Sequence, residues 1–357
     1  MMNDTMMNAL RLYAPGDCRL EKVAIPTIGD EDILVKVESC GICAGDIKTL
    51  HGGIRVWGVS EKDRYIEAPI IQGHEFVGKV VRIGSKVKNV AIGERMVSEQ
   101  IVPCGECRFC KEGNYGMCQR HWIYGFKQEV QGGFAQYMKF HHQGIHHKIP
   151  DGLSLEQATL IEPFACAMHA VERANIKHSD VVVVSGLGAI GQGMVSVARA
   201  RQPKLLIGMD LRQHRLELAL KNSCDIVLNP AEIDVVEKIK ALTDGYGCDV
   251  YIEASGSNIS VKQGFKALRF MGQYVQFGVF GNEISADFND VGDGKELNIA
   301  GAHLGPHCYD AVIKGMLNGS IHTDGVMTHS FKMSEWERAF EVAEKDPMAL
   351  KVMLIPD

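Results

Sequence analysis

Apolar residues fall along this chain in two different rhythms. Up to about residue 150 they come in short runs, as at 33–37, 77–83 and 95–97, cut by Gly, Pro and Asn. Runs of that length between turn formers predict a strand-rich, irregular region. From about 181 to 279 the pattern changes: apolar runs at 181–185, 205–210, 249–253 and 274–279 alternate with helical spacing at 214–221, 233–242 and 261–268. Strands and helices in alternation predict a parallel sheet covered by helices. Beyond residue 301 the spacing predicts a helix over 310–317, another over 334–344 with Ser334 as its N-cap, and a last strand over 351–355. A final strand so far from the alternating region is expected to return to the N-terminal part, which makes the α/β unit an insertion.

The stretch 181–198 runs 18 residues without a formal charge, near the lower limit for spanning a bilayer. Its four glycines and its close flanks, Asp180 and Arg199, make it a strand, a tight turn and a helix instead. With 46% hydrophobic residues in 357, the chain can bury the cores of about two domains. Its 38 basic and 44 acidic residues give a net charge of −6 with no block of like charge, which argues against a nucleic-acid partner. The first residues lack a basic segment followed by an apolar one, so a cytoplasmic protein without membrane association is expected.

Four of the eleven cysteines crowd into Cys104-x2-Cys107-x2-Cys110-x7-Cys118, and the rest are scattered. In a reducing compartment such a cluster points to metal rather than disulfides. Four thiolates this close suit a closed, tetrahedral structural Zn2+ site, whose binding free energy can hold a loop that has no core of its own.

A second motif joins glycines 186, 188 and 191 in the G-x-G-x-x-G arrangement, after an apolar run and before a helical period. Such a turn lets the backbone approach a pyrophosphate and aims a helix N-terminus at its charge. Asp210 ends the next apolar run, where an acid accepts ribose hydroxyls and repels a 2′-phosphate, so NAD is expected over NADP. Ile190, Arg215 and Gly278 are further candidate cofactor contacts. Arg212 and Arg215 complicate the preference, since a guanidinium can accommodate a phosphate; a solvated helix start is the plainer reading of Arg212.

A third constellation is dispersed: Cys43, the pair His74-Glu75, and Glu162. Each type can bind Zn2+, and a mixed S, N, O set with one open position is what a catalytic zinc needs. Taken singly, each has a plain structural reading, as a buried thiol, a core histidine or an acid at a helix start.

Together and in this order, the motifs resemble the zinc-containing medium-chain alcohol dehydrogenases. Gly73-His-Glu-Phe-Val-Gly78 with Gly84 and Val87 matches that family's G-H-E-x2-G-x5-G-x2-V signature, and the resemblance runs from about Ala9 to Leu354. Glu162-Pro-Phe-Ala-Cys-Ala-Met-His169 is similar to the polyol and threonine dehydrogenase branch. More narrowly, Ile42-Cys-Ala-Gly-Asp-Ile-Lys48 and Gly301-Ala-His-Leu-Gly-Pro-His307 look like bacterial erythritol/L-threitol dehydrogenases.

The resemblance implies a Rossmann doubly wound sheet inserted into a strand-rich GroES-like domain. The expected boundaries are 1–164 with 302–357 for the catalytic zinc domain and 165–301 for the NAD domain. It also implies a catalytic zinc on Cys43, His74 and either Glu75 or Glu162. Asp46, three residues after Cys43, either accepts the free ring N–H of His74 and fixes its tautomer or caps a turn. The family usually has a Ser or Thr two residues after the zinc cysteine, starting a proton relay; this chain has Gly45. Water, a substrate hydroxyl, or Lys48, Thr49 or His51 must then take that role. Trp57 and His303 are candidate pocket walls. The expected reaction moves hydride from a secondary hydroxyl of a polyol, such as a tetritol, to NAD, giving a ketose. The alternatives are an L-threonine 3-dehydrogenase-like enzyme or a catalytically impaired NAD- and zinc-binding relative. A homodimer or homotetramer is the expected assembly.

Overall fold

A computed structural model describes residues 5–357, which separate into two compact units, 5–162 with 327–357 and 163–326. The predicted return of the chain to its N-terminal part is present, but later than expected. Residues 302–326, expected with the catalytic part, lie in the second unit. They are held there by the buried Cys308, Tyr309, Val312, Ile313 and Met316, and by the His322 N–H donating to the Ser196 hydroxyl at 2.7 Å.

The first unit is built on a seven-stranded, mostly antiparallel sheet. Its central strand, Ile33–Ile42, is buried on nearly every position and pairs antiparallel with Glu75–Ile83, Tyr137–Phe140 and Lys351–Ile355. Apolar residues fill most of its buried positions, while Lys36 is exposed and Glu38 half-buried. The register sets Gly41 opposite both Glu75 and Met353. Gly41 has no side chain to obstruct Glu75, whose carboxylate occupies the space a Cβ there would fill. A three-stranded sheet of Asp17–Ala24, Met6–Ala14 and Ile70–Ile71 completes the unit's main strands.

The second unit holds a six-stranded, all-parallel sheet. Its order is Ile226–Leu228, Leu205–Met209, Val181–Ser185, Cys248–Glu253, Leu268–Gln276 and Asn298–Gly301. In sequence order that is 3-2-1-4-5-6, the doubly wound Rossmann arrangement. Val181–Ser185 is buried at all five positions, so the uncharged stretch is a central strand followed by the helix Ala189–Ala200. Among the described residues no helix is long and apolar enough to cross a membrane.

Three local expectations need correction. The strand expected over 274–279 runs Leu268–Gln276, leaving Val279 exposed, and the preceding helix is Asn258–Ala267. Ser334 is not an N-cap: its hydroxyl and its N–H both donate to the Asp357 carboxylate, at 2.7 and 2.9 Å. The helix begins instead at Trp336, after a short 3-10 turn over Met333–Glu335.

Candidate active site and metal centres

Cys43 ends the central strand's run and caps the helix Ala44–Leu50. Its Sγ accepts the Gly45 N–H at 3.4 Å, and Asp46 accepts the Cys43 N–H at 2.9 Å. This reciprocal capping fixes the thiol's direction. The neighbouring strand delivers His74 and Glu75, and one donor atom from each of Cys43, His74 and Glu75 lies within 4.8 Å of the others. Sulfur, imidazole nitrogen and carboxylate oxygen together form the mixed donor set that a three-ligand zinc site uses.

Asp46 is fully buried, and its Oδ1 lies 3.6 Å from His74 Nδ1. Neither atom has a closer polar partner. Burial opposes a charge on His74, but the nearby Asp46 carboxylate and Cys43 outweigh it and raise its pKa well above the ordinary value. An imidazole whose Nδ1–H is drawn toward Asp46 presents its other nitrogen as a ligand. Replacing Asp46 by Asn is therefore expected to weaken zinc at this cluster about 10–100-fold, read by competition with a chelating dye.

The second glutamate is placed differently. Glu162 is 4% exposed and lies outside the Cys43, His74 and Glu75 donor group; its Oε1 accepts the Gln100 side-chain amide at 2.5 Å. Glu75 in turn has a partner that sequence reasoning missed. Lys351 Nζ lies 2.6 and 2.7 Å from the two Glu75 carboxylate oxygens and 3.2 Å from the Ile42 carbonyl. Lys351 is separated from Glu75 by 276 positions, and its one sequence signal is a lysine heading a buried apolar run.

The relay candidates are dispersed. The Thr49 hydroxyl donates to the Gly45 carbonyl at 2.7 Å, inside its own helix. His51 is more than half exposed and pairs with Glu344 at 3.1 Å, and Lys48 is exposed. Trp57 donates its indole N–H to the Thr49 carbonyl at 2.7 Å under the Arg64 guanidinium, which explains its burial as packing. A Cβ on Gly45 would meet only Cys43 Sγ, at 3.6 Å, so open space stands where the relay hydroxyl would be. His303 is exposed in the second unit.

Cys104, Cys107, Cys110 and Cys118 also converge, with donor atoms within 4.8 Å of one another. The turns between them aim backbone N–H groups at the sulfurs: Cys104 N–H reaches Cys118 Sγ and Cys107 N–H reaches Cys104 Sγ, each at 3.3 Å. Backbone N–H groups of Gln119 and Cys110 draw the Cys107 thiol down to about 6, while burial pushes Cys110 up to about 12. Four sulfurs crowded with directed amides fit a thiolate-bound cation.

In the second unit the glycine-rich turn follows Val181–Ser185. Gly186 has φ of +96°, and a Cβ there would meet the Ser255 backbone nitrogen at 2.6 Å, so only glycine fits. Gly188 caps the next helix and faces open space, its nearest neighbour being Arg215 Nη1 at 4.0 Å. Gly191 presses on the Gly186 carbonyl. Asp210 Oδ2 accepts the Leu187 N–H at 2.8 Å and Oδ1 the Arg212 N–H at 2.9 Å, while Arg215 stands 3.7 Å away. The acid thus closes the turn and keeps its remaining lone pairs beside it. Ile190 lies in the helix's first turn, half-buried, and Gly278 follows the strand Leu268–Gln276, its N–H donating to the Glu253 carbonyl. The open cradle at Gly188 and the helix start behind it fit a dinucleotide pyrophosphate.

A Rossmann unit inserted in a strand-rich unit, with a mixed-donor cluster and a four-cysteine cluster, defines a zinc-binding dehydrogenase. Residues 29–151 match the alcohol dehydrogenase GroES-like domain and residues 189–318 the zinc-binding dehydrogenase family. The chain belongs to the zinc-containing medium-chain alcohol dehydrogenase family and is an oxidoreductase. It is 43% identical to an erythritol/L-threitol dehydrogenase of Mycolicibacterium smegmatis, over 98% of each chain. A sorbitol dehydrogenase of Halalkalibacterium halodurans is 33% identical over 96% of this chain and 97% of its own. A zinc-binding dehydrogenase from Sinorhizobium meliloti 1021, solved bound to NADP, superposes with a TM-score of 0.90 at 29% identity, covering 99% of this chain and 100% of its own.

Proposed function

We propose that the chain oxidises a secondary hydroxyl of a small polyol, of the tetritol class, to a ketone with NAD as acceptor. The observation that carries this reading is the convergence of Cys43, His74 and Glu75 on one point, backed by Asp46. When bound, Zn2+ supplies Lewis acidity that favours an alkoxide, and NAD supplies the hydride acceptor. The 43% identity to an erythritol/L-threitol dehydrogenase supports the substrate class.

In this reading Cys43, His74 and Glu75 hold the catalytic zinc, and Cys104, Cys107, Cys110 and Cys118 a structural one. Asp46 orients His74, and Lys351 holds the Glu75 carboxylate in a dry site. The space beside Gly45 admits water or a second substrate hydroxyl, so the substrate proton leaves without a side-chain hydroxyl there. That suits a polyol, whose adjacent hydroxyl is part of the substrate itself. The first unit, 5–162 with 327–357, carries the chemistry, and the second holds the dinucleotide on Gly186, Gly188, Ile190, Gly191, Asp210 and Gly278. A homodimer or homotetramer in the cytoplasm completes the proposal.

Purified protein assayed with NAD on a panel of tetritols, pentitols, hexitols and L-threonine tests it. NADH formation with tetritols above all others is expected; turnover of L-threonine alone, or of nothing despite full zinc and bound NAD, rejects it. Asp210 sets the cofactor preference. Asp210→Asn is expected to lower kcat/KM with NAD about 10–100-fold, from the 1.5–3 kcal/mol of a charged hydrogen bond, and to narrow the gap to NADP. Steady-state kinetics with both cofactors reads this directly.

A further inference from the structure

The second unit brings together a third set of ligating side chains, apart from both clusters above. His169, Glu172 and Cys308 each present a donor atom within 4.8 Å of the other two. His169 and Glu172 stand three positions apart on the helix Ile161–Ala174, and so share a face. Cys308 reaches that face because the loop before it lies directly on the helix. A Cβ on Gly305 would sit 2.5 Å from the Ala165 carbonyl carbon and 2.7 Å from the Cys166 nitrogen, so glycine alone permits this approach. Cys308 Sγ lies 3.6 Å from Glu172 Oε2 and 3.3 Å from the Pro306 carbonyl. The other Glu172 oxygen faces Arg201 at 3.6 Å.

We propose that His169, Glu172 and Cys308 bind a divalent cation of the zinc class as a third metal site. Bond lengths of about 2.3 Å to sulfur and about 2.1 Å to oxygen in a tetrahedron put those two donors about 3.6 Å apart. The separation of Cys308 Sγ from Glu172 Oε2 is 3.6 Å. A thiolate, an imidazole and a carboxylate select zinc over magnesium or calcium, which take oxygen ligands. Burial is graded across the site: Cys308 is buried, His169 half-buried and Glu172 exposed. An ion enters from the Glu172 side and completes its shell with water. Binding replaces the proton of the Cys308 thiol and ties the loop to the helix, so it stabilises the folded unit.

The test compares the zinc content of the wild-type chain with that of His169→Asn, Glu172→Gln and Cys308→Ser after equilibrium dialysis against free zinc. Each variant is expected to hold one equivalent less than wild type. Because the reading is a difference, it stands whatever the two clusters of the first unit bind. Cys308 is buried, so its variant tests folding as well as binding; His169→Asn and Glu172→Gln, at more accessible positions, decide the matter once circular dichroism shows them folded. A second measurement follows the thermal midpoint as zinc is added after the other clusters are filled. A further saturable rise in wild type that the two variants lack supports the site. Equal zinc content in wild type and both variants overturns it.

Discussion

Replacing Lys351 by methionine is expected to destabilise the metal-free protein by about 3–5 kcal/mol, because it leaves the Glu75 carboxylate buried without its partner. The two side chains are 6% and 1% exposed, so water cannot take over. Changing both, Lys351→Met with Glu75→Leu, is expected to recover most of the loss, since a buried pair is often no better than an apolar replacement. Zinc should shrink the effect of the single change, because the cation offers Glu75 a second positive partner. Denaturant unfolding of the two variants and wild type, with and without zinc, measures all of this. An equal loss in single and double variants would show that packing of the lysine stem, not charge, is responsible. Burial by itself would lower the Lys351 pKa, but the Glu75 charge overrides it and holds the group above the ordinary lysine value. The folded state therefore binds this proton more tightly than the unfolded chain. The stabilisation is complete below the unfolded value of about 10.4 and is lost as pH climbs through the folded one.

Cys43→Ser and His74→Asn are each expected to reduce kcat/KM for polyol oxidation by about 1,000-fold or more, since a Lewis acid contributes several kcal/mol to such a barrier. Each variant should lose one zinc and keep the one on Cys104, Cys107, Cys110 and Cys118. Cys104→Ser should show the reverse pattern, with the loop over 104–118 becoming sensitive to proteolysis as its metal is lost. Parallel metal analysis and kinetics separate these outcomes. Activity within tenfold of wild type in Cys43→Ser would remove this cluster from the reaction.

What the sequence disclosed depended on how local each feature is. The glycine-rich turn and Asp210 lie within one βαβ stretch, and the four cysteines within 15 residues, so spacing alone carried their chemistry. Cys43, His74 and the glutamates are dispersed, and it was resemblance rather than spacing that joined them. Glu75 is set inside the cluster by strand register, which no short window contains, while Glu162 is carried on the helix Ile161–Ala174 to the Gln100 amide. Lys351 was invisible as a site residue for the same reason: it meets Glu75 only because Lys351–Ile355 pairs with Ile33–Ile42. Ser334 was misread because its hydroxyl is claimed by Asp357, 23 positions away. The boundary near 302 was misplaced because the helical pattern after it has an apolar face that either unit could have buried.

The strand Lys351–Ile355 sits between Ile33–Ile42 and Met327–Lys332 in the first unit's sheet. On the ribosome, then, the segment 163–326 is finished and able to fold while the earlier segment still lacks an interior strand. The exposed flank of Ile33–Ile42 must wait, open to mispairing, until Lys351–Ile355 has been made. Nascent chains halted before residue 351 should accordingly carry a native dinucleotide-fold half beside an unfinished, chaperone-seeking one.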